Sequence, residues 1–163
     1  RNGHSAAPAF MLACLLWFDM QAAWKQYQGN GHSAQAALFD AMDDTLERQR
    51  SALAFPRRMD GMIKEIWALQ PRFEQRGGSR PFRLLEHPRF RAGYDFLLIR
   101  AESGEVAQEL ADWWTEFQDA DEVERKHMLV ADSSPKPRRK RRRKSAGQAA
   151  DRSADSGDNG EAA

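Results

Sequence analysis

Apolar positions recur at helical spacing along most of the chain and nowhere alternate for long, so the pattern predicts helices and no strands. The cleanest case is 88–100, where Phe90, Tyr94, Leu97, Leu98 and Ala101 follow i, i+4, i+7, i+8, i+11 spacing. Pro88 stands where a first-turn proline costs no hydrogen bond. Phe96 and Ile99 fall off that face. A helix apolar around most of its girth is covered on several sides, so this one is expected at the centre of the fold. Its charges keep two narrow strips, Arg91, Asp95 and Glu102 on one and Arg89 and Arg100 on the other.

The same reading places a helix at 8–28, apolar all round in its first half, and ends it at Gly29-Asn30-Gly31. Ser33 is a cap for a second helix at 33–53, with Leu38, Met42, Leu46 and Leu53 on one side. A third, at 56–70, carries Met59, Met62, Ile63, Ile66 and Trp67 as its buried stripe, with Asp60 and Lys64 as an exposed i, i+4 pair; Pro71 is expected to end or kink it. An arginine-rich link at 72–83, a helical turn at 84–86 and a last helix at 105–118 complete an all-α body of about five to six helices over 1–118. From Asp119 the composition turns acidic, then Ser/Pro, then basic, then Gly/Ala/Ser/Asp; nothing there builds a core, so 119–163 is expected to be a disordered tail.

Charge changes this picture more than total composition does. Residues 1–118 carry 14 Lys+Arg against 15 Asp+Glu, whereas 119–163 carry 11 against 9, with the positive charge concentrated at 136–144. Lys136 and the uninterrupted run Arg138, Arg139, Lys140, Arg141, Arg142, Arg143, Lys144 suit a polyphosphate: engaging about five phosphates of a single strand gives a log–log salt slope of about −3.5. A nuclear import signal, a membrane-surface patch and a plain solvated tail are the other readings of such a run. A second cluster, Arg72, Arg76, Arg80, Arg83, Arg89 and Arg91, joins Arg57 and Arg58 as a candidate basic strip on the folded part; the alternative is arginines scattered and paired locally.

Other candidate chemistry is thin. Asp40, Asp43, Asp44 and Glu47 invite a metal or general-acid reading, but Asp44–Arg48 and Glu47–Arg50 pairs on one helix account for them as a salt-bridged face. His4, His32, His87 and His127 are dispersed and give neither metal spacing nor a triad. Gly77-Gly78-Ser79-Arg80 has the look of a phosphate-holding glycine pair but lacks a preceding strand. Most aromatics sit on buried stripes; Phe82 and Trp24 are the candidates for stacking on bases. The single cysteine, Cys14, excludes an internal disulfide and reads as a small core residue, in keeping with a reducing, cytoplasmic compartment. The longest apolar run, 9–18, is shorter than the about 20 residues a spanning helix needs, so no membrane partner is expected. The opening residue is Arg1 rather than Met, as expected of a fragment.

Three ordered segments then resemble a known family: Pro-Ala-Phe-Met-Leu-Ala-Cys-Leu-Leu-Trp at 8–17, Leu-Leu-Glu-His-Pro-Arg-Phe-Arg-Ala-Gly-Tyr-Asp at 84–95, and Trp-Trp-Thr-Glu-Phe-Gln at 113–118. They are similar to the C-terminal portion of bacterial poly(A) polymerase I, a class II nucleotidyltransferase group that also contains the CCA-adding enzymes, and the basic run resembles that family's arginine-rich C-terminus. The resemblance implies extension of RNA 3′ ends with adenylate from ATP and Mg²⁺. It also implies that the metal-binding Asp pair and nucleotide-binding glycines belong to an N-terminal head that no position here matches. What carries over is RNA binding by the helical body and tail, with no catalytic residue, metal or cofactor site in this chain. The rival readings are a helical protein-interaction module with a basic arm and the C-terminal part of a CCA-adding enzyme.

Overall fold

The computed structural model describes residues 3–131, with side chains from residue 7 onward. Among the described residues there are eight α-helices, one 3₁₀ turn and no strand, the all-α class that the periodicity predicts. The helices are α1 (Gly3–Leu15), α2 (Trp17–Gly29), α3 (Ala34–Leu53), α4 (Asp60–Phe73), α5 (Arg80–Leu85), α6 (Phe90–Glu102), α7 (Gln108–Asp119) and α8 (Glu122–Met128), with the 3₁₀ turn at Arg57–Met59 leading into α4. The tail from residue 132 on, including Lys136 and 138–144, lies outside the described residues.

The expected helix at 8–28 is two helices, bent by 53° at Leu16. Neither glycine nor proline stands at the break. Instead the indole Nε1 of Trp67 donates to the Ala13 carbonyl at 2.9 Å, the oxygen that Trp17 would use in an uninterrupted helix. The bend lets Ala9 and Ala13 of α1 lie against α4 while α2 turns to pack along α3. Asn30 to Ser33 join α2 to α3, and the Ser33 hydroxyl accepts from Ala36 N at 3.3 Å, the cap the sequence predicts. α3 ends at Ala54, a non-glycine residue held in the left-handed region at φ 52°.

α4 occupies the position expected of the 88–100 helix: α1, α3, α5 and α6 all pack against it. Its buried residues Ile63, Ile66, Trp67, Leu69, Gln70 and Phe73 serve two apolar clusters. Ile66 and Trp67 close the first with Trp17, Met20, Met42 and Leu46; Leu69 and Phe73 enter the second with Phe90, Leu97, Trp114 and Phe117. α6 borders both clusters through Phe96 and Leu97, but Ile99 on its outer side stays 42 % exposed. The two helices pack tightly at Gly93, where an added Cβ would stand 2.9 Å from Leu69 Cδ1.

Pro71 does not end α4, which runs on to Phe73. A proline in the last turn removes one hydrogen bond only, and the Phe73 carbonyl beyond it is taken by Trp114 Nε1 at 2.7 Å. The boundary expected at 118 also moves. The acidic stretch that looked like tail caps α8: the Asp121 side chain accepts from Glu124 N at 2.8 Å while Glu124 accepts from Asp121 N at 3.0 Å. Arg125 donates to the carbonyls of Phe117 and Gln118 at 2.8 and 2.7 Å, satisfying the end of α7. Trp113 Nε1 then binds Met128 O at 3.1 Å, and Val130 N donates to Arg76 O at 3.0 Å.

A buried polar network ties α2, α4 and α6 to the α6–α7 connection. Arg100, 9 % exposed, donates Nη1 to Gln70 Oε1 at 3.1 Å and Nε to Glu105 Oε1 at 3.3 Å, with its guanidinium 4.9 Å from the Trp17 ring centroid. The same Glu105 oxygen accepts from Trp17 Nε1 at 2.7 Å and Gln21 Nε2 at 2.9 Å. Gln70 uses its amide on the carbonyls of Ile66 and Gly93, so every member of the network is paired.

Candidate nucleic-acid interface

The folded arginines divide between the two ends of α4. At its N-terminal end, Arg58 from the 3₁₀ turn and Arg89 from the α5–α6 connection line one notch of about 300 Å³, together with Ala9, Met59, Gly61, Met62 and Glu65. Arg89 Nε donates to Glu65 Oε2 at 2.8 Å, and Arg58 is exposed with no ion pair among the described residues. Arg89 also borders a neighbouring groove with Arg91, whose Nε lies 3.3 Å from Asp95 Oδ1. Arg57 is 71 % exposed and reaches Glu47 at 3.4 Å.

At the other end, Arg72 in the last turn of α4 and Arg83 on α5 make no ion pair among the described residues, and Arg80 is exposed at the start of α5. Arg76 is differently used: it pairs with Glu109 at 2.8 Å, lies 5.9 Å from the Trp113 ring and is 21 % exposed, so its guanidinium fastens α7 to the link. Arg58 and Arg72 are separated by about 20 Å, the rise of their intervening residues at about 1.5 Å each. The single strip expected from the sequence is therefore two basic groups joined by one side of α4, with Gly61 and Glu65 exposed and Ala68 half-buried. Sequence reasoning did not find Glu65, because no local spacing links it to Arg89.

Several expectations resolve into packing. Phe82 is set edge-on against Phe117 at 5.5 Å between centroids, and Trp24 packs on the first cluster and donates Nε1 to Ala34 O at 3.3 Å; both serve the core rather than present a stacking face. Gly78, at φ 62°, provides the turn into α5. The acidic face of α3 is partnered residue by residue: Asp40 is hydrogen-bonded with His32, and Asp43, Asp44 and Glu47 are salt-bridged to Lys64, Arg48 and Arg50. Asp60 does not take Lys64 as expected but Arg50, at 2.6 Å. That hydrogen bond holds the Arg50 guanidinium above its ordinary pKa. Among the described residues no group of three His, Cys, Asp or Glu is placed to hold a metal ion. Burial pushes the Cys14 thiol up, which makes it a poor nucleophile.

An apolar groove of about 870 Å³ is lined by Phe10, Met11, Cys14, Leu15, Leu53 and Ile99 among others, with no charged side chain in its lining. It offers nothing to a phosphate. No single described helix is long and apolar enough to cross a membrane.

A family profile described as polymerase A arginine-rich C-terminus matches residues 30–147, which takes in α3 to α8 and the basic run. The chain belongs to this family. It is 40 % identical over 147 residues to poly(A) polymerase I of Salmonella typhi, covering 88 % of this chain and 32 % of that protein. The poly(A) polymerase I of Escherichia coli O157:H7 is 41 % identical over 146 residues, covering 87 % of this chain and 31 % of its own length. That of Haemophilus influenzae is 38 % identical over 148 residues, covering 84 % and 32 %. The chain thus spans about a third of the length of the curated relatives it matches.

Proposed function

We propose that this chain is the RNA-binding C-terminal part of a poly(A) polymerase, supplying hold on single-stranded RNA 3′ ends while adenylate transfer belongs to a part of the polypeptide outside it. The observation that carries this reading is the arrangement of Arg58, Arg89 and Arg72 along the outer side of α4, in a chain whose family match also includes the basic run at 138–144. Arginine forks suit phosphate oxygens, and a run of basic residues adds affinity indifferent to base sequence. ATP and Mg²⁺ would serve the transfer step, and none of this chain's residues is assigned to either. A cytoplasmic location belongs to the same reading, since that is where a bacterial polymerase meets its RNA.

Fluorescence anisotropy with labelled RNA homopolymers across a salt series tests it. The full chain should bind with a log–log slope of about −3.5 or steeper, and deleting 136–144 should weaken binding to all sequences about equally. Pure chain should show no ATP-dependent tailing, and tailing would defeat the assignment of catalysis elsewhere. The apolar groove beside α1 favours protein contact as a second reading; binding to anionic vesicles or acidic protein that RNA does not displace would support it over RNA.

A further inference from the structure

The notch at the N-terminal end of α4 places two guanidinium groups against one carboxylate. Arg58 and Arg89 line it with Glu65, and all three are remote in sequence or on different elements. Gly61 leaves the site open, since beyond its chain neighbours and its own helix backbone nothing lies within 4 Å of the position a Cβ would take there. Glu65 engages only Nε of Arg89, at 2.8 Å, and a guanidinium presents a planar fork with two further nitrogens. Met59 and Met62 supply apolar wall. The notch therefore combines net positive charge, a fork with a fixed orientation and room for a small anion.

We propose that this notch is a phosphodiester subsite for the RNA strand and that Glu65 limits its affinity. The Glu65 oxygen aims the Arg89 fork, and its negative charge opposes the phosphate that the fork and Arg58 attract. The strand continues toward Arg72, half-buried and seven residues beyond Glu65 on the same side of α4. The pair of Arg89 and Glu65 is half-exposed, 41 % and 48 %, so remodelling it on binding costs little. This assignment rests on the RNA-binding reading above.

The two are separated by anisotropy of the full chain with labelled oligoadenylate over a salt series. Glu65→Gln keeps an oxygen that accepts from Arg89 Nε and removes the charge; it should tighten binding about threefold. Arg58→Ala and Arg89→Ala should each weaken it about fivefold and make the log–log slope shallower by about 0.7, the loss of one single-strand phosphate contact. Urea midpoints are measured alongside; should Arg89→Ala move the midpoint, Arg58→Ala and Glu65→Gln carry the test. If the parent binds and Glu65→Gln fails to tighten it, or neither arginine variant changes the slope, the notch assignment is overturned while RNA binding stands. If the parent chain binds no RNA, both fall.

Discussion

Replacing Glu105 by alanine should cost about 3 kcal/mol of folding stability, although the residue sits in the connection between α6 and α7. One carboxylate oxygen there accepts from Trp17, Gln21 and Arg100, three side chains on two helices. Truncation removes a charge-assisted bond worth about 1.5–3 kcal/mol and leaves the Trp17 indole N–H unpaired, worth about 1 kcal/mol. Arg100, with its side chain 10 % exposed, would lose its counter-charge, a change that costs about 3–5 kcal/mol when a pair is fully buried. Two features lower that figure: Glu105 is 19 % exposed, so water enters part of the gap, and Arg100 keeps Gln70 and the Trp17 ring. Glu105→Gln preserves the oxygen and should cost only about 1–1.5 kcal/mol. Urea unfolding followed by tryptophan fluorescence measures both, and the double variant with Arg100→Met should show coupling of more than about 1 kcal/mol. A Glu105→Ala chain within about 0.5 kcal/mol of the parent would refute the claim that this network holds α2, α4 and α6 together.

Two further substitutions probe the backbone. Ala54→Gly should raise stability by about 0.5–1 kcal/mol, because it relieves a left-handed alanine whose strain of about 1–2 kcal/mol exceeds the entropy glycine adds to the unfolded chain; a lowered urea midpoint would contradict this. Gly93→Val should cost about 2–3 kcal/mol, since its side chain would meet Leu69 and Phe73 where α6 packs on α4; unchanged thermal unfolding would mean the interface gives way freely.

The limits of sequence reading follow the range of each interaction. The Ser33 cap and the i, i+4 pair of Asp44 with Arg48 are set within a turn or two of chain, and each is found where the spacing places it. The capping box of α8 was equally local: Asp121 and Glu124 stand at the right spacing, but acidic composition hid them. By contrast, Asp60 had two cations within reach, and helical spacing alone favoured Lys64. The choice of Arg50 depended on the path of the chain between α3 and α4.

The sequence by itself determined that the chain is helical, which faces are apolar, and that arginine dominates its basic surface, because periodicity and charge are properties of neighbouring residues. Tertiary structure decided where the first helix breaks, which helix sits at the centre, and that the folded arginines form two groups rather than one strip. The Trp67 indole reaching Ala13, and Arg89 meeting Glu65 beside Arg58, unite residues far apart in the chain. Such contacts exist only after helices have packed at particular angles, so no local pattern encodes them.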